Sequence, residues 1–240
     1  MEGRSLMQIH LDKAQSPRMF DTIAGRYDFV NTLISFGLHH IWRRRLIQKL
    51  KLAPNQTALD LATGTGDVAI SLAKHPKVTK VIATDLSQGM LMKASDKISK
   101  LNLDEVIDLE TQDAQNLNYA DETFDIVTMS FGIRNVPTTI SCLKEAHRVL
   151  KPGGRFVILE SGRPTNPIAK MGHGFFTKYV VPAIGRVFSR NPEAYSYLNK
   201  TIHSFPSGSN FAYLLKQAGF STTGFESLTM GSVYVYWGDK

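Results

Sequence analysis

The chain has 240 residues, 42% hydrophobic and 10% aromatic, enough to bury the core of one α/β domain and too few for two substantial ones. No stretch approaches the roughly 18 uninterrupted apolar residues of a membrane-spanning helix. The opening MEGRSLMQIHLDKAQSP has no secretory apolar run, and the single Cys142 allows no internal disulfide and no multi-cysteine zinc site. The expectation is a protein of the reducing cytoplasm, neither integral to a membrane nor exported, with Cys142 a buried structural thiol.

The net charge of +7 is unevenly spread. Residues 1–56 carry 9 Lys+Arg against 4 Asp+Glu, residues 57–160 carry 11 against 14, and residues 161–240 carry 8 against 3. Basic flanks around an acidic middle suit contact with something anionic, a nucleic acid or a membrane surface, or else are solvated charge with no partner.

In chain order, residues 16–50 read as helical, with Phe20, Ile23, Tyr27 and Val30 at helical spacing, followed by a basic helix through Trp42, Arg43, Arg44 and Arg45. Residues 57–160 alternate strand and helix patterns, the appearance of a parallel sheet covered by helices. Strands are expected at 58–62, 80–84, 106–112, 124–130 and 155–160, with helices at 67–74, 87–100 and 138–150. The last carries Leu143, Ala146, Val149 and Leu150 on one stripe, with Pro152-Gly153-Gly154 to stop it. Residues 162–208 form an insertion too aromatic for a solvated loop, holding Phe175, Phe176, Tyr179, Val180, Val181, Ile184, Val187 and Phe188. A final helix over 208–218 leads to strands at 223–230 and 232–237, an antiparallel hairpin joined at Gly231. The whole of 1–240 reads as one domain: helical segment 1–56, core 57–160, cap 162–208, and helix plus hairpin 209–240.

The strongest local signal is Asp60-Leu61-Ala62-Thr63-Gly64-Thr65-Gly66-Asp67, at a strand end opening into a helix. Glycines admit a ligand close to the backbone, and the helix start offers free N–H groups. Gly64, Gly66 and Ala69 also fit the loose dinucleotide fingerprint, so the surroundings decide. Asp60 and Asp67 at the two ends of this loop repel a pyrophosphate and suit a cationic ligand such as S-adenosylmethionine. Asp85, about 20 residues on at the next strand end, suits a ribose diol, with Leu86 beside it, and Asp113-Ala114 after the third strand suits an adenine. Each Asp alone also reads as a cap or turn residue. Acids at three strand ends plus the terminal hairpin point to a class I S-adenosylmethionine-dependent methyltransferase: α/β, Rossmann-like, a mostly parallel seven-stranded sheet.

Tyr27-Asp28-Phe29-Val30-Asn31 with Ser35, His39 and Trp42 resembles the N-terminal signature of the quinone-biosynthesis C-methyltransferase family. Ser130-Phe131-Gly132-Ile133-Arg134-Asn135-Val136 and Arg148-Val149-Leu150-Lys151-Pro152-Gly153-Gly154-Arg155 with Glu160 resemble two further motifs of it. Val30 stands where that family has Met, and Glu160-Ser161-Gly162 lacks the residue that separates that Glu from its Ser. The resemblance runs from about Phe20 to the C-terminus. It implies C-methylation of demethylmenaquinol, or of a polyprenyl-methoxybenzoquinol, with cofactor contacts at Thr65, Asp85, Asp113, Ala114 and Ser130. Asp60, Gly64, Gly66 and Leu86 complete the expected cofactor set, and no metal is expected.

For the chemistry the candidates are Arg134, Asn135, Tyr27 and Asp28, with His39, His40 and Trp42 at the substrate entrance. An Arg just past a strand end is hard to justify by packing and suits a cation beside a developing phenolate, an ordered water relaying the proton; a nearby His is the alternative base. A phenol titrates near 10, so the site must favour the phenolate, and only the reduced ring is expected to react. The insertion would cover a polyprenyl tail and the basic flanks rest on anionic lipid at the cytoplasmic leaflet. The partners expected are thus a lipid quinol, a transient membrane contact, no nucleic acid, and a second copy as homodimer. An RNA or small-molecule methyltransferase, a cofactor-binding scaffold without turnover and an NAD-dependent oxidoreductase are the rival readings.

Overall fold

The computed structural model describes residues 15–181, 183–184, 197, 201–202 and 204–240; Val187 and Phe188 of the expected insertion lie outside them. Helices α1 (Ser16–Ile23), α2 (Tyr27–Ser35) and α3 (His39–Gln48) precede the alternating core. That core runs β1 (Gln56–Leu61), α4 (Asp67–Ala73), β2 (Val78–Asp85), α5 (Gln88–Lys100), β3 (Ile107–Thr111), β4 (Phe124–Ser130), α6 (Thr139–Val149) and β5 (Leu150–Ser161). A cap helix α7 (Pro167–Phe175) continues into a π-helical turn, Phe176–Val180, and α8 (Ser209–Gln217) leads to β6 (Thr222–Leu228) and β7 (Val233–Asp239).

One seven-stranded sheet results, in the order β3-β2-β1-β4-β5-β7-β6. β1 to β5 pair in parallel, and β7 runs antiparallel between β5 and β6. Central strands covered on both faces need continuous apolar runs, and β4 and β5 supply them in Ile126, Val127 and Met129 and in Phe156, Val157, Ile158 and Leu159, all buried. Phe124, Leu143, Phe156 and Phe211 fill the α6 and α8 side; Leu46, Val68, Leu72 and Ile98 fill the α3, α4 and α5 side. The strand order reverses between β1 and β4, so the chain leaves their carboxyl ends in opposite directions and opens a crevice there.

Two boundaries differ from expectation. Helix α6 ends at Val149 and β5 begins at the next residue, so Pro152-Gly153-Gly154 lies inside a strand. Leu150 is already extended at φ −72°, ψ 138°, because the approach to a proline disfavours helix. The β4–β5 register shift between Phe124 and Ile126 is absorbed at Gly154, where a Cβ would stand 2.9 Å from the carbonyl oxygens of Asp125 and Lys151. In the hairpin, β6 stops at Leu228, since Thr229, Met230 and Gly231 all adopt positive φ (48°, 55° and 92°) and leave the ladder. Thr229 also accepts a hydrogen bond from Trp42 Nε1 at 2.8 Å, tying α3 to that turn.

The N-terminal helices are part of the core fold. Ile23, Ala24 and Val30 pack with Met90 of α5 and with Val181 of the cap. Asp21 accepts from Ser87 Oγ (2.6 Å) and from the Gly89 N–H (2.8 Å), placing a carboxylate at the start of α5, where anions are favoured.

Candidate active site

The loop after β1 is built by backbone conformation. Ala62, Gly64 and Gly66 all have positive φ (49°, 58° and 82°), which turns the chain back onto the first turn of α4. At Gly66 an added Cβ would lie 3.1 Å from Ala94 Cβ, whereas at Gly64 it would meet nothing within 4 Å. Gly66 therefore serves helix packing and Gly64 leaves an open face. The Gly64 N–H donates to Asp85 Oδ2 at 2.8 Å, fastening the loop to the end of β2.

Two cavities flank this loop. The smaller, about 360 Å³, is bordered by Asp85, Leu86, Asp113, Ala114 and Asn135, with Phe20 of α1 as an unforeseen wall. The larger, about 950 Å³, is bordered by Tyr27, Asn31, Ser35, His39 and Trp42, by Thr65 and Arg134, and by cap residues including Ala169, Gly172 and Phe176. Tyr27, Ala62, Gly64, Ser130 and Phe131 border both. Of the signature residues, Tyr27, Asn31, Ser35, His39 and Trp42 thus form one row on two successive helices facing the larger space.

In the smaller cavity Asp85 accepts from the Ser87 N–H (2.9 Å) and from Gly64, one bond per oxygen. Each oxygen keeps a lone pair for a ligand hydroxyl, and burial raises the carboxyl above its usual range. Asp113 accepts from the Gln115 N–H at 2.9 Å. Asn135 contributes a buried Oδ1 with no partner, an acceptor that a ligand N–H would satisfy. Acceptors at two strand ends with an open glycine fit a nucleoside bearing a ribose diol and a cation.

The other expected cofactor residues take different places. Asp60 and Gly66 border neither cavity. Asp60 is 1% exposed and accepts from Thr63 Oγ1 and Thr128 Oγ1, both at 2.7 Å; burial pushes its carboxyl up to about 6. It holds the loop from beneath, because the inward side of a central strand offers no route to the crevice. Asp67 is no open acceptor either, since Arg43 (2.7 Å) and Lys97 (2.6 Å) answer its charge and hold its carboxyl below the usual range against the opposing effect of burial. A carboxylate fixed in the first turn of α4 still disfavours a pyrophosphate there. Thr65 borders the larger cavity, donating to Asp28 Oδ1 at 2.6 Å.

Asp28 also borders neither cavity. It pairs with Lys97 at 2.8 Å, and Lys97 reaches Thr65 and Asp67 as well. This network ties α2 to the glycine loop through a lysine of α5. Sequence reasoning missed Lys97, which sits in an amphipathic helix where a lysine reads as solvated.

Arg134 has a packing role that the sequence did not disclose. It is 5% exposed, with Nη1 donating to Glu160 Oε1 at 2.5 Å and to the Phe131 carbonyl at 2.8 Å; Nε is buried without a partner. The Glu160 carboxylate neutralises the guanidinium, so what Arg134 offers the larger cavity is directed N–H groups more than net charge. Tyr27 stays a phenol, since burial raises its pKa over the opposing effects of Asn31 and Arg134.

His39 and His40 separate clearly. His40 is exposed and borders neither cavity, whereas His39 is buried and borders the larger one. Ser35 Oγ donates its only proton to the Asn31 carbonyl at 2.6 Å, so in the 2.6 Å contact with His39 Nδ1 the ring donates. The imidazole then carries its proton on Nδ1 and a lone pair on Nε2. Burial, Arg43 and His40 together lower its pKa to about 4, which keeps it neutral. Among the described residues no group of three or more His, Cys, Asp or Glu stands close enough to hold a metal ion.

Comparison with known proteins agrees with this geometry. The ubiE/COQ5 methyltransferase family matches residues 8–240. The chain is 41% identical to the ubiquinone/menaquinone biosynthesis C-methyltransferase UbiE of Geotalea daltonii, over 92% of this chain and 94% of that one. It is 40% identical, at the same coverage, to the demethylmenaquinone methyltransferase of Lactiplantibacillus plantarum. Among solved structures it resembles a SAM-dependent methyltransferase of Aquifex aeolicus (TM-score 0.58, 20% identity, 82% and 88% of the two chains). It also resembles phosphoethanolamine N-methyltransferase 2 of Haemonchus contortus (TM-score 0.66, 16% identity, 88% and 56%). The sheet order, the glycine loop with Asp85 at the next strand end, and these relatives converge: the chain belongs to the ubiE/COQ5 methyltransferase family and has the class I S-adenosylmethionine-dependent methyltransferase fold.

Proposed function

We propose that this chain methylates a ring carbon of a polyprenyl quinol, with demethylmenaquinol as the acceptor and S-adenosylmethionine as the donor. The observation that carries the reading is the junction at Tyr27, Gly64, Ser130 and Phe131, where an acceptor-lined cavity of nucleoside size meets a larger one walled by the cap. When bound, the donor supplies an electrophilic methyl group. Asp85 would accept from the ribose hydroxyls, Asp113 and Ala114 would meet the adenine beside Leu86, and Asn135 Oδ1 would take an N–H.

On the acceptor side, the chain's task is to hold the ring at the junction, exclude water and favour the phenolate. Arg134 directs N–H groups toward the developing oxyanion, fixed in orientation by Glu160. His39 Nε2 accepts a hydrogen bond from a quinol hydroxyl. With a pKa near 4 it orients that hydroxyl without keeping its proton, which passes to water; once the ring carbon carries the methyl group its hydrogen leaves as a proton to water and the oxygen regains one, restoring the quinol. Tyr27 remains a neutral donor at the junction, and Asp28 acts at a distance by positioning α2. A quinone has no hydroxyl proton to lose and an electron-poor ring, so only the quinol reacts.

Labelled S-adenosylmethionine with short-tailed demethylmenaquinone, with and without dithionite, tests this. Label in the ring only under reduction supports the proposal, and label without reduction, or none with either ring system under reduction, refutes it. A methoxybenzoquinol in parallel ranks the second acceptor, which the family's shared ubiquinone and menaquinone naming motivates. The relevant partner is read as lipid, not nucleic acid, because residues 161–181 of the cap are aromatic and hold no Asp or Glu. We assign the enzyme to the cytoplasmic side of the membrane that holds its substrate.

A further inference from the structure

The cap is apolar on two sides. Ala169, Gly172 and Phe176 face the larger cavity, whereas Met171, Phe175 and Tyr179 point outward at 74%, 63% and 55% exposure. Three more large apolar side chains crowd the cavity mouth from separate segments. Phe36 comes from the α2–α3 turn, Ile168 from the start of α7 and Met230 from the β6–β7 turn; each borders the cavity, and they are 75%, 78% and 77% exposed. A scattered exposed Leu needs no account, but three such groups at the opening and three more on the outer side of the cap that walls it mark an interaction site. In the two segments that supply the cap helix and α3 the charge has one sign. Residues 161–181 hold Arg163, Lys170 and Lys178 without an acid, and residues 29–59, which supply α3 with its exposed Arg44 and Arg45, hold no acid either.

We infer that this rim is a docking face for an anionic lipid surface, with Met171, Phe175 and Tyr179 entering the acyl boundary and Lys170 and Lys178 meeting the headgroups. The inference rests on the lipid-quinol reading and adds to it how the substrate arrives: it enters the cavity from the bilayer through the face that touches it. An amphipathic cap whose apolar side lies in the interface gains from buried apolar area and from each lysine near an anionic surface.

The test uses the full chain and vesicles of phosphatidylcholine with phosphatidylglycerol, against phosphatidylcholine alone. Met171→Asp with Phe175→Asp should lower partition onto the anionic vesicles by tenfold or more. Lys170→Gln with Lys178→Gln should lower it about thirtyfold, roughly fivefold per lysine, and leave partition onto neutral vesicles unchanged. Met92→Asp, at an exposed apolar position on α5 that borders neither cavity, should change neither. None of the four substituted cap residues borders either cavity, so methylation of a short-tailed acceptor in solution should be kept while methylation of a long-tailed acceptor in vesicles falls. Vesicle partition that ignores the cap variants overturns the inference. So does a dimer in sedimentation that Met171→Asp with Phe175→Asp dissociates, since a second copy then occupies the face. Failure to methylate any short-tailed quinol refutes the functional reading instead, and leaves the vesicle measurement to decide the docking face by itself.

Discussion

Asp60 offers a quantitative test of how the glycine loop is supported. Its carboxyl is 1% exposed and stands at about 6 in the folded chain, against an ordinary value of 3.8. A carboxyl raised on folding contributes stability that is fully present below the unfolded pKa and is lost as pH rises through the folded one. The full swing is about 3 kcal/mol, of which roughly two thirds falls between about pH 4.5 and about pH 7.5. Asp60→Asn keeps the shape and the two threonine hydroxyl partners, which reorient to donate to or accept from the amide, and removes the titration. Urea unfolding of both proteins across this range gives a difference that cancels every other group. Asp67, Glu145 and Asp239, whose carboxyls are lowered on folding, contribute in the opposite sense and drop out of it. The Asn variant should gain about 2 kcal/mol relative to the parent as pH rises from about 4.5 to about 7.5. A difference flat within about 0.5 kcal/mol refutes the burial argument. A cationic ligand above the loop favours the ionised carboxyl, so S-adenosylmethionine binding near pH 6 should release more protons in the parent than in Asp60→Asn, where only Asp85 of the two raised carboxyls remains, read by calorimetry in buffers of different ionisation heat.

Asp85→Asn should weaken cofactor binding tenfold or more, the scale of charge-assisted bonds to two hydroxyls, with little change in Tm. Arg134→Met should cost about 3–5 kcal/mol by stranding the buried Glu160 charge, and adding Glu160→Gln should restore most of that stability without restoring methyl transfer, as urea unfolding and turnover together would show. Gly66→Ala combines a φ of 82° with a Cβ 3.1 Å from Ala94 Cβ and should cost about 1–3 kcal/mol, measured by thermal unfolding. Ser35→Ala frees the His39 tautomer and should lower kcat severalfold while cofactor affinity stays the same. If His39 only packs, turnover will stay at the parent value as well.

The parallel core was legible because buried central strands are written as continuous apolar runs, and β4 matches its expected span at both ends. The glycine loop was legible because few residue types tolerate its backbone. Side-chain direction was not. Asp60 and Asp67 carry the same chemistry as Asp85, yet one points down into the sheet and the other into a pair of cations. Long-range pairs such as Lys97 with Asp28, or Arg134 with Glu160, leave no trace in local periodicity, so Arg134 read as unexplained by packing when a buried carboxylate accounts for it. Conversely, Asn31 and Ser35 were expected only as parts of a family signature, and it is the fold that puts them with Tyr27 on one helix face toward the larger cavity.

The location of the junction follows from the sheet order. β1 and β4 are parallel neighbours, paired from Ala58 with Ile126 to Leu61 with Met129, but the order in which strands are laid down reverses between them, so their exit loops diverge and leave a crevice. Both exits turn through non-glycine residues at positive φ, Ala62 at 49° and Phe131 at 55°, a conformation that costs on the order of 1–2 kcal/mol per residue. Their close approach explains Gly132, where a Cβ would stand 2.7 Å from Ala62 Cβ. The strand pairing beneath holds these turns, and the Phe131 carbonyl is engaged by Arg134 Nη1. Two strained turns thus set the walls shared by both cavities, and the row from Tyr27 to Trp42 closes the larger space above them. Relaxing either turn would move the donor and acceptor sides relative to each other, and an in-line transfer tolerates little such movement.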